Sequence, residues 1–191
     1  MIAEIPTIPH PPEPRFAPIE RPRGILMKVA YAMCRRMLGK VIAPMKVIYA
    51  RKPSLLWISE KFRKIEARDL KLAARYKHLV KAYTSLKNGC AFCHDISLAL
   101  AFQDRLGPET FRDLERFRDS AAFDDRDRAV LAYVDEIHRG LVVSDATFAE
   151  LRRHFDEEEI VEITWVNAVE YYYNSMAVPL GLGSDGLALS K

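Results

Sequence analysis

Two cysteines three positions apart, Cys90 and Cys93, stand directly after an Asn88-Gly89 break and are followed at once by His94. Side chains at i and i+3 share one face of a helix, so at a helix start the two sulfurs lie close enough to join as a disulfide with little rearrangement. The free N–H groups and dipole of a first helical turn favour thiolate over thiol, so at least one sulfur should react near neutral pH. A two-thiol redox site needs this arrangement. One thiolate attacks an oxidised sulfur or a peroxide oxygen, and the other closes the product to a disulfide before it over-oxidises.

Other chemistries use the same residues. Cys-x-x-Cys-His is also the attachment pattern of c-type haem, which requires export, and the N-terminus shows no basic segment followed by an apolar one. A structural zinc wants four ligands, and no second Cys/His pair exists to complete the set. The bland reading of Cys90 and Cys93 is two small buried residues. The third cysteine, Cys34, stands alone in an apolar helix and reads as packing. No cofactor and no metal are called for.

The elements that must position this pair are helical. Of eleven prolines nine lie at or before Pro53, while Ser54 to Val178 holds only Pro108 and three glycines, too few breakers for the turns of a many-stranded sheet. Residues 1–22, with proline every few positions, read as an extended arm, and residues 23–191 as a single helical domain. Apolar spacing predicts helices over 24–38 (Ile25, Leu26, Val29, Met33, Met37), 54–67 and, capped by Asp69, on to Lys87. Asn88-Gly89 ends that helix because both residues tolerate the left-handed conformation. Further helices are expected from the cysteine pair to Gly107, over 109–117, 124–139, 145–155 and 156–177.

Charge is segregated: residues 1–87 carry 19 basic and 6 acidic groups, residues 109–159 carry 8 and 15, and the whole chain nets +3. The basic residues are dispersed among apolar ones rather than run together, so the halves should complement each other in the fold or across a subunit contact, not bind nucleic acid. No stretch is long and apolar enough for a membrane span. The cytoplasm is the default compartment, where thiols stay reduced and a close cysteine pair is more often catalytic than structural.

The Arg51-Lys52-Pro53 segment, NGCAFCHDISLALA, DDRDRAVLAYVDEI and the closing FDEEEIVEITWVNAVEYYYNSMAVPLGLGSDG together resemble the carboxymuconolactone decarboxylase superfamily, specifically its alkylhydroperoxidase-D-like branch, over roughly residues 38–187. The resemblance implies an all-α, alkylhydroperoxidase-D-like helical bundle, here with a proline-rich extended N-terminal arm, assembled as a homo-oligomer. It also implies a peroxidase with a lipoyl or thioredoxin-like electron donor, in which Cys93 is the attacking thiol and Cys90 the resolving one. The family pattern places a glutamate twelve residues before the first cysteine and a histidine four after the second. Here those positions hold His78 and Ser97. A hydroxyl is no base near pH 7, whereas imidazoles titrate there, so the expectation is a substituted proton relay built from His78 and His94. Asp95 either caps the first turn or orients His78 or an arginine.

Two further readings stand beside a hydroperoxide-reducing enzyme. One is a redox-sensing helical oligomer without turnover. The other is a lyase or decarboxylase acting on a small organic acid, a branch that generally lacks the cysteine pair. The basic arm and the run Tyr171–Tyr173 are candidate subunit contacts, the tyrosines equally candidate core and pocket lining.

Overall fold

The apolar stripe through Tyr76, Leu79, Val80 and Tyr83 becomes the inner face of α3 (Ala74–Lys87), the central helix of the computed structural model. The structure describes residues 8–11 and 13–189, and no β-strand occurs among them. The other helices are α1 (Ile25–Leu38), α2 (Ser54–Arg68), α4 (Ala91–Gln103), the single turn α5 (Glu109–Arg112), α6 (Asp125–Gly140), α7 (Asp145–Arg152) and α8 (Glu157–Ala177). The expected all-α bundle is what the described residues form.

α3 packs against α4, α6 and α8. Leu79 and Val80 meet Val130, Leu131 and Val134 of α6 and Ile163 and Val166 of α8 in one cluster, each of them fully buried. Burial of a side chain of this size contributes about 1.5–3 kcal/mol, so this cluster is the main source of stability. A second, smaller cluster joins α1, the 41–49 segment, Leu182 and the cysteine pair itself. The two cysteines therefore lie at the seam between the bundle and its N-terminal covering.

Helix starts follow local chemistry. Asp124 and Asp127 form a reciprocal capping box at α6, and Asp156 and Glu159 form another at α8. Arg75 of α3 grips the buried Asp127 carboxylate with two bonds of 2.9 and 2.6 Å. Lys71 pairs with Asp156 and Glu158. These pairs join the basic half of the chain to the acidic half, so part of the charge segregation is resolved inside the fold.

Several expected boundaries shift. Asp69 ends α2 instead of capping α3, because the buried Glu162 carboxylate captures the amides of Lys71 and Leu72 and holds 70–73 out of the helix. The expected helix over 109–117 breaks at Asp113, whose carboxylate takes bonds from Arg116 and Ser120, leaving one α turn and a 3₁₀ turn over Leu114–Arg116. The stretch between Pro44 and Pro53, expected as a linker, contains a π-helical turn at Met45–Tyr49. In α1 the stripe Ile25, Leu26, Val29, Met33, Met37 faces solvent, while Met27 and Tyr31 are buried.

The described part of the arm is laid over this chain's own body. Arg15 and Ile19 donate their amides to Leu180 and Lys46, Tyr31 donates its hydroxyl to the Ile19 carbonyl, and Arg51 bonds the Ala17 carbonyl while its guanidinium stacks on Phe16. Residues 1–7 and 12 of the expected arm lie outside the described residues.

Candidate functional site

Gly89 adopts φ 67°, and this left-handed residue turns the chain from α3 into α4. Cys90 then occupies the N-cap position of α4, and its sulfur accepts the Cys93 amide at 3.3 Å. Cys93 sits in the first turn, and the two are joined as a disulfide with Cα atoms 5.3 Å apart. The expected proximity of the two sulfurs is thus present, with an amide and the positive end of a helix dipole aimed at them.

The two sulfurs differ in what they face. Cys93 lines a cavity of about 290 Å³, whereas Cys90 is not among its walls and is sealed behind it. Most of the wall is apolar: Ile42, Met45 and Ile48 before α2, Leu56 on α2, Phe92, Ile96 and Leu100 on α4, Tyr173 and Met176 on α8. Ser97, at the family's histidine position, also lines it. Among the polar wall residues, Glu66 of α2 forms an ion pair with Lys81 of α3, and Glu170 projects from α8. Burial raises the Glu170 carboxyl to about 7, against the pull of Lys81 and the bond from Asn174.

The histidines expected as a relay are placed elsewhere. His94 is buried, donates Nδ1–H to the Ala82 carbonyl at 3.1 Å, and leaves Nε2 with no partner among the described residues. Burial lowers its pKa, so the ring is neutral at pH 7. His78 Nε2 bonds Asp104 at 2.7 Å. Asp104 follows α4, eleven residues beyond Cys93, or about 16 Å along the helix. Neither ring borders the cavity. The geometry therefore does not bring His78 and His94 together with Cys93 as one proton path.

Asp95 orients neither His78 nor an arginine. Its two oxygens accept the amides of Asp185, Leu187 and Ala188, fastening the C-terminal segment beside α4. Cys34 is half buried and donates to the Lys40 carbonyl at 3.4 Å. Tyr172 and Tyr173 pack edge-on against Phe62 of α2, Tyr173 lines the cavity, and Tyr171 approaches His138. Among the described residues no group of three or more His, Cys, Asp or Glu side chains is placed to hold a metal.

The sequence reading missed Glu66, Lys81 and Glu170. Glu170 had a visible signal. It lies in register with Ile163, Val166, Asn174 and Ala177, at the spacing of the buried face of α8. A carboxyl on that stripe must be paired, shifted or functional.

Residues 53–136, which hold the cysteine pair, match the carboxymuconolactone decarboxylase family. The likeness covers 84 of the 191 residues. Among similar solved structures is a protein of unknown function from Agrobacterium tumefaciens, provisionally named an antioxidant defence protein AhpD. It is 29% identical with TM-score 0.64, over 70% of this chain and 93% of that one. A peroxidase-related protein from Ralstonia eutropha JMP134 with the alkylhydroperoxidase AhpD core shares the fold at 20% identity, TM-score 0.74, over 93% and 96% of the two chains. So does the debrominase Bmp8 in complex with 2,3,4-tribromopyrrole, at 17% identity, TM-score 0.75, over 91% and 92%. No curated protein matches significantly. The matched segment supplies Lys81 and the cysteine pair, whereas Glu170 comes from α8 beyond it.

Proposed function

We propose that this protein is a two-thiol oxidoreductase that reduces hydroperoxides, with Cys93 as the attacking thiol and Cys90 as the resolving one. The observation that carries the reading is that Cys93 alone of the pair opens on the cavity, while Cys90 sits behind it within bonding distance. A substrate entering among Ile48, Phe92 and Met176 meets only the Cys93 sulfur, and the apolar wall suits an organic hydroperoxide or another small organic molecule. Attack yields a sulfenic acid on Cys93, which Cys90 condenses to the disulfide with loss of water. A lipoyl or thioredoxin-like dithiol reopens it, in a reducing compartment such as the cytoplasm.

The test is turnover of cumene hydroperoxide with dihydrolipoamide, compared with Cys93→Ser. Consumption by the native protein that the serine variant loses is the expected result. Equal consumption by both refutes the reading, and a disulfide that opens and closes without consumption makes the pair a redox sensor.

The homo-oligomer belongs to the same proposal. What supports it is the exposed row Ile25, Val29, Met33 and Met37 on α1, with Trp57 and Ile58 exposed on α2. Light scattering that gives only the monomer mass contradicts it.

A further inference from the structure

Glu170 is a buried carboxyl that the two-thiol scheme leaves unused, yet it shares the Cys93 cavity. Its Oε1 accepts from Asn174 Nδ2 at 2.7 Å, Asn174 Oδ1 accepts from Asn88 Nδ2 at 2.9 Å, and Asn88 Oδ1 accepts from His138 Nδ1 at 3.0 Å. Every donor in this chain points toward the carboxyl, and Asn88 is the residue that leads through Gly89 into Cys90. The chain therefore fixes Glu170 relative to the start of α4. Oε2 takes no hydrogen bond among the described residues and is left to the cavity.

The titratable and charged groups sharing this space are Lys81 from α3, Glu60, Arg63 and Glu66 from α2, Tyr49 from the 45–49 turn, Tyr173 on α8 and Cys93. Lys81 is committed to Glu66 and Arg63 to Glu60. Tyr49 and Tyr173 have raised pKa values through burial and stay protonated near neutral pH. Burial brings the Glu170 carboxyl to about 7, so it can exchange a proton near neutral pH in the space that Cys93 faces.

We propose that Glu170 is the acid of the dithiol reaction: it protonates the oxygen that leaves when Cys93 is oxidised and recovers a proton when the disulfide is reopened. This rests on the two-thiol function proposed for Cys90 and Cys93. The Cys93 thiolate attacks the outer oxygen of the hydroperoxide, the S–O bond forms as the O–O bond breaks, and the alkoxide leaves as an alcohol carrying the Glu170 proton. Sulfur is oxidised and the peroxide reduced. The Cys90 thiol then attacks the Cys93 sulfenic acid, the S–S bond forms, and hydroxide leaves as water with the Cys90 proton. An external dithiol supplies two electrons and two protons. One proton ends on Cys90 and one on Glu170, so Cys93 returns as thiolate. The charge of that thiolate in the same cavity disfavours ionised Glu170, so the reduced enzyme carries the acid loaded.

The test compares single-turnover oxidation of the reduced native protein by cumene hydroperoxide with Glu170→Gln, from pH 5 to 9. Glutamine keeps an acceptor for Asn174 and carries no proton to give. Loss of a positioned acid is typically worth about 10²–10⁴-fold, so the variant should slow by about 100-fold or more at pH 6 and lose the falling alkaline limb of the native profile. An infrared difference spectrum, reduced minus oxidised, should show a protonated carboxyl band that Glu170→Gln abolishes. A variant with native rate and native alkaline limb, while Cys93→Ser is inert, overturns the Glu170 assignment alone. If Cys93→Ser itself reacts at the native rate, the two-thiol reading fails first.

Discussion

Glu170→Gln should stabilise the protein at alkaline pH relative to the native chain, by an amount set by the environment of α8. In the fold the carboxyl titrates near 7, pushed up by burial, against an ordinary value of 4.5. Below pH 4.5 folded and unfolded chains both hold the proton and the group is neutral in the balance. Between 4.5 and 7 the unfolded chain has released the proton while the folded one retains it, so stability falls as pH rises; above 7 the loss is complete. At about 1.4 kcal/mol per pH unit the total is about 3 kcal/mol, which Glu170→Gln does not incur. For a chain of this size that is a relative gain in Tm of about 6–12 °C between pH 4.5 and 8. His78, His94 and His138 work in the opposite direction, since burial lowers their pKa values and their contribution to stability grows as pH rises through the ordinary imidazole range. The difference between the two proteins, both kept oxidised, cancels them. Calorimetry at pH 4.5 and 8 is the assay, and parallel pH curves for native and variant would refute the buried placement of the carboxyl.

Gly89→Ala meets no atom within 4 Å of the added carbon, so its cost is conformational, about 1–2 kcal/mol for a left-handed alanine, read by chemical denaturation. Asp95→Ala removes the acceptor of three amides at 185–188. It should cost roughly 3 kcal/mol and raise hydrogen exchange selectively in that segment. Met33→Lys combined with Val29→Lys leaves the core untouched and, if the proposed homo-oligomer uses the exposed α1 row, should give monomers by light scattering with no loss of thermal stability in the monomer.

Local signals were the legible ones. Asn88-Gly89, with glycine in the left-handed conformation, made the position of the cysteine pair readable. The starts expected at 124 and 156 agree with the structure, where a capping box is complete within four residues at each. The boundary at Asp69 was not legible. Its rival partner for the 71–72 amides is Glu162, ninety residues away, and periodicity carries no information about such a contact. The α1 stripe failed for a related reason. Helical spacing reports that a face is apolar but not what covers it, and here the chain buries Met27 and Tyr31 and leaves the longer row outside.

The same distinction explains why half of the site was found. Cys90 and Cys93 are neighbours in sequence, so one helical turn specifies their geometry. The polar wall of the cavity is assembled from α2, α3 and α8, and the family's glutamate and histidine positions, held here by His78 and Ser97, give no pointer to Glu170. His78 at the glutamate position reaches away along α3 toward Asp104, so a residue-for-residue substitution of the relay has no support in space. Glu170 supplies from another helix the buried carboxyl that this position lacks. The function of an acid in such a site depends on its distance to the leaving oxygen and on its pKa, and neither requires a particular helix to carry it. A carboxyl in phase with the buried stripe of a neighbouring helix is therefore the feature to seek wherever a reactive pair stands without its usual partners.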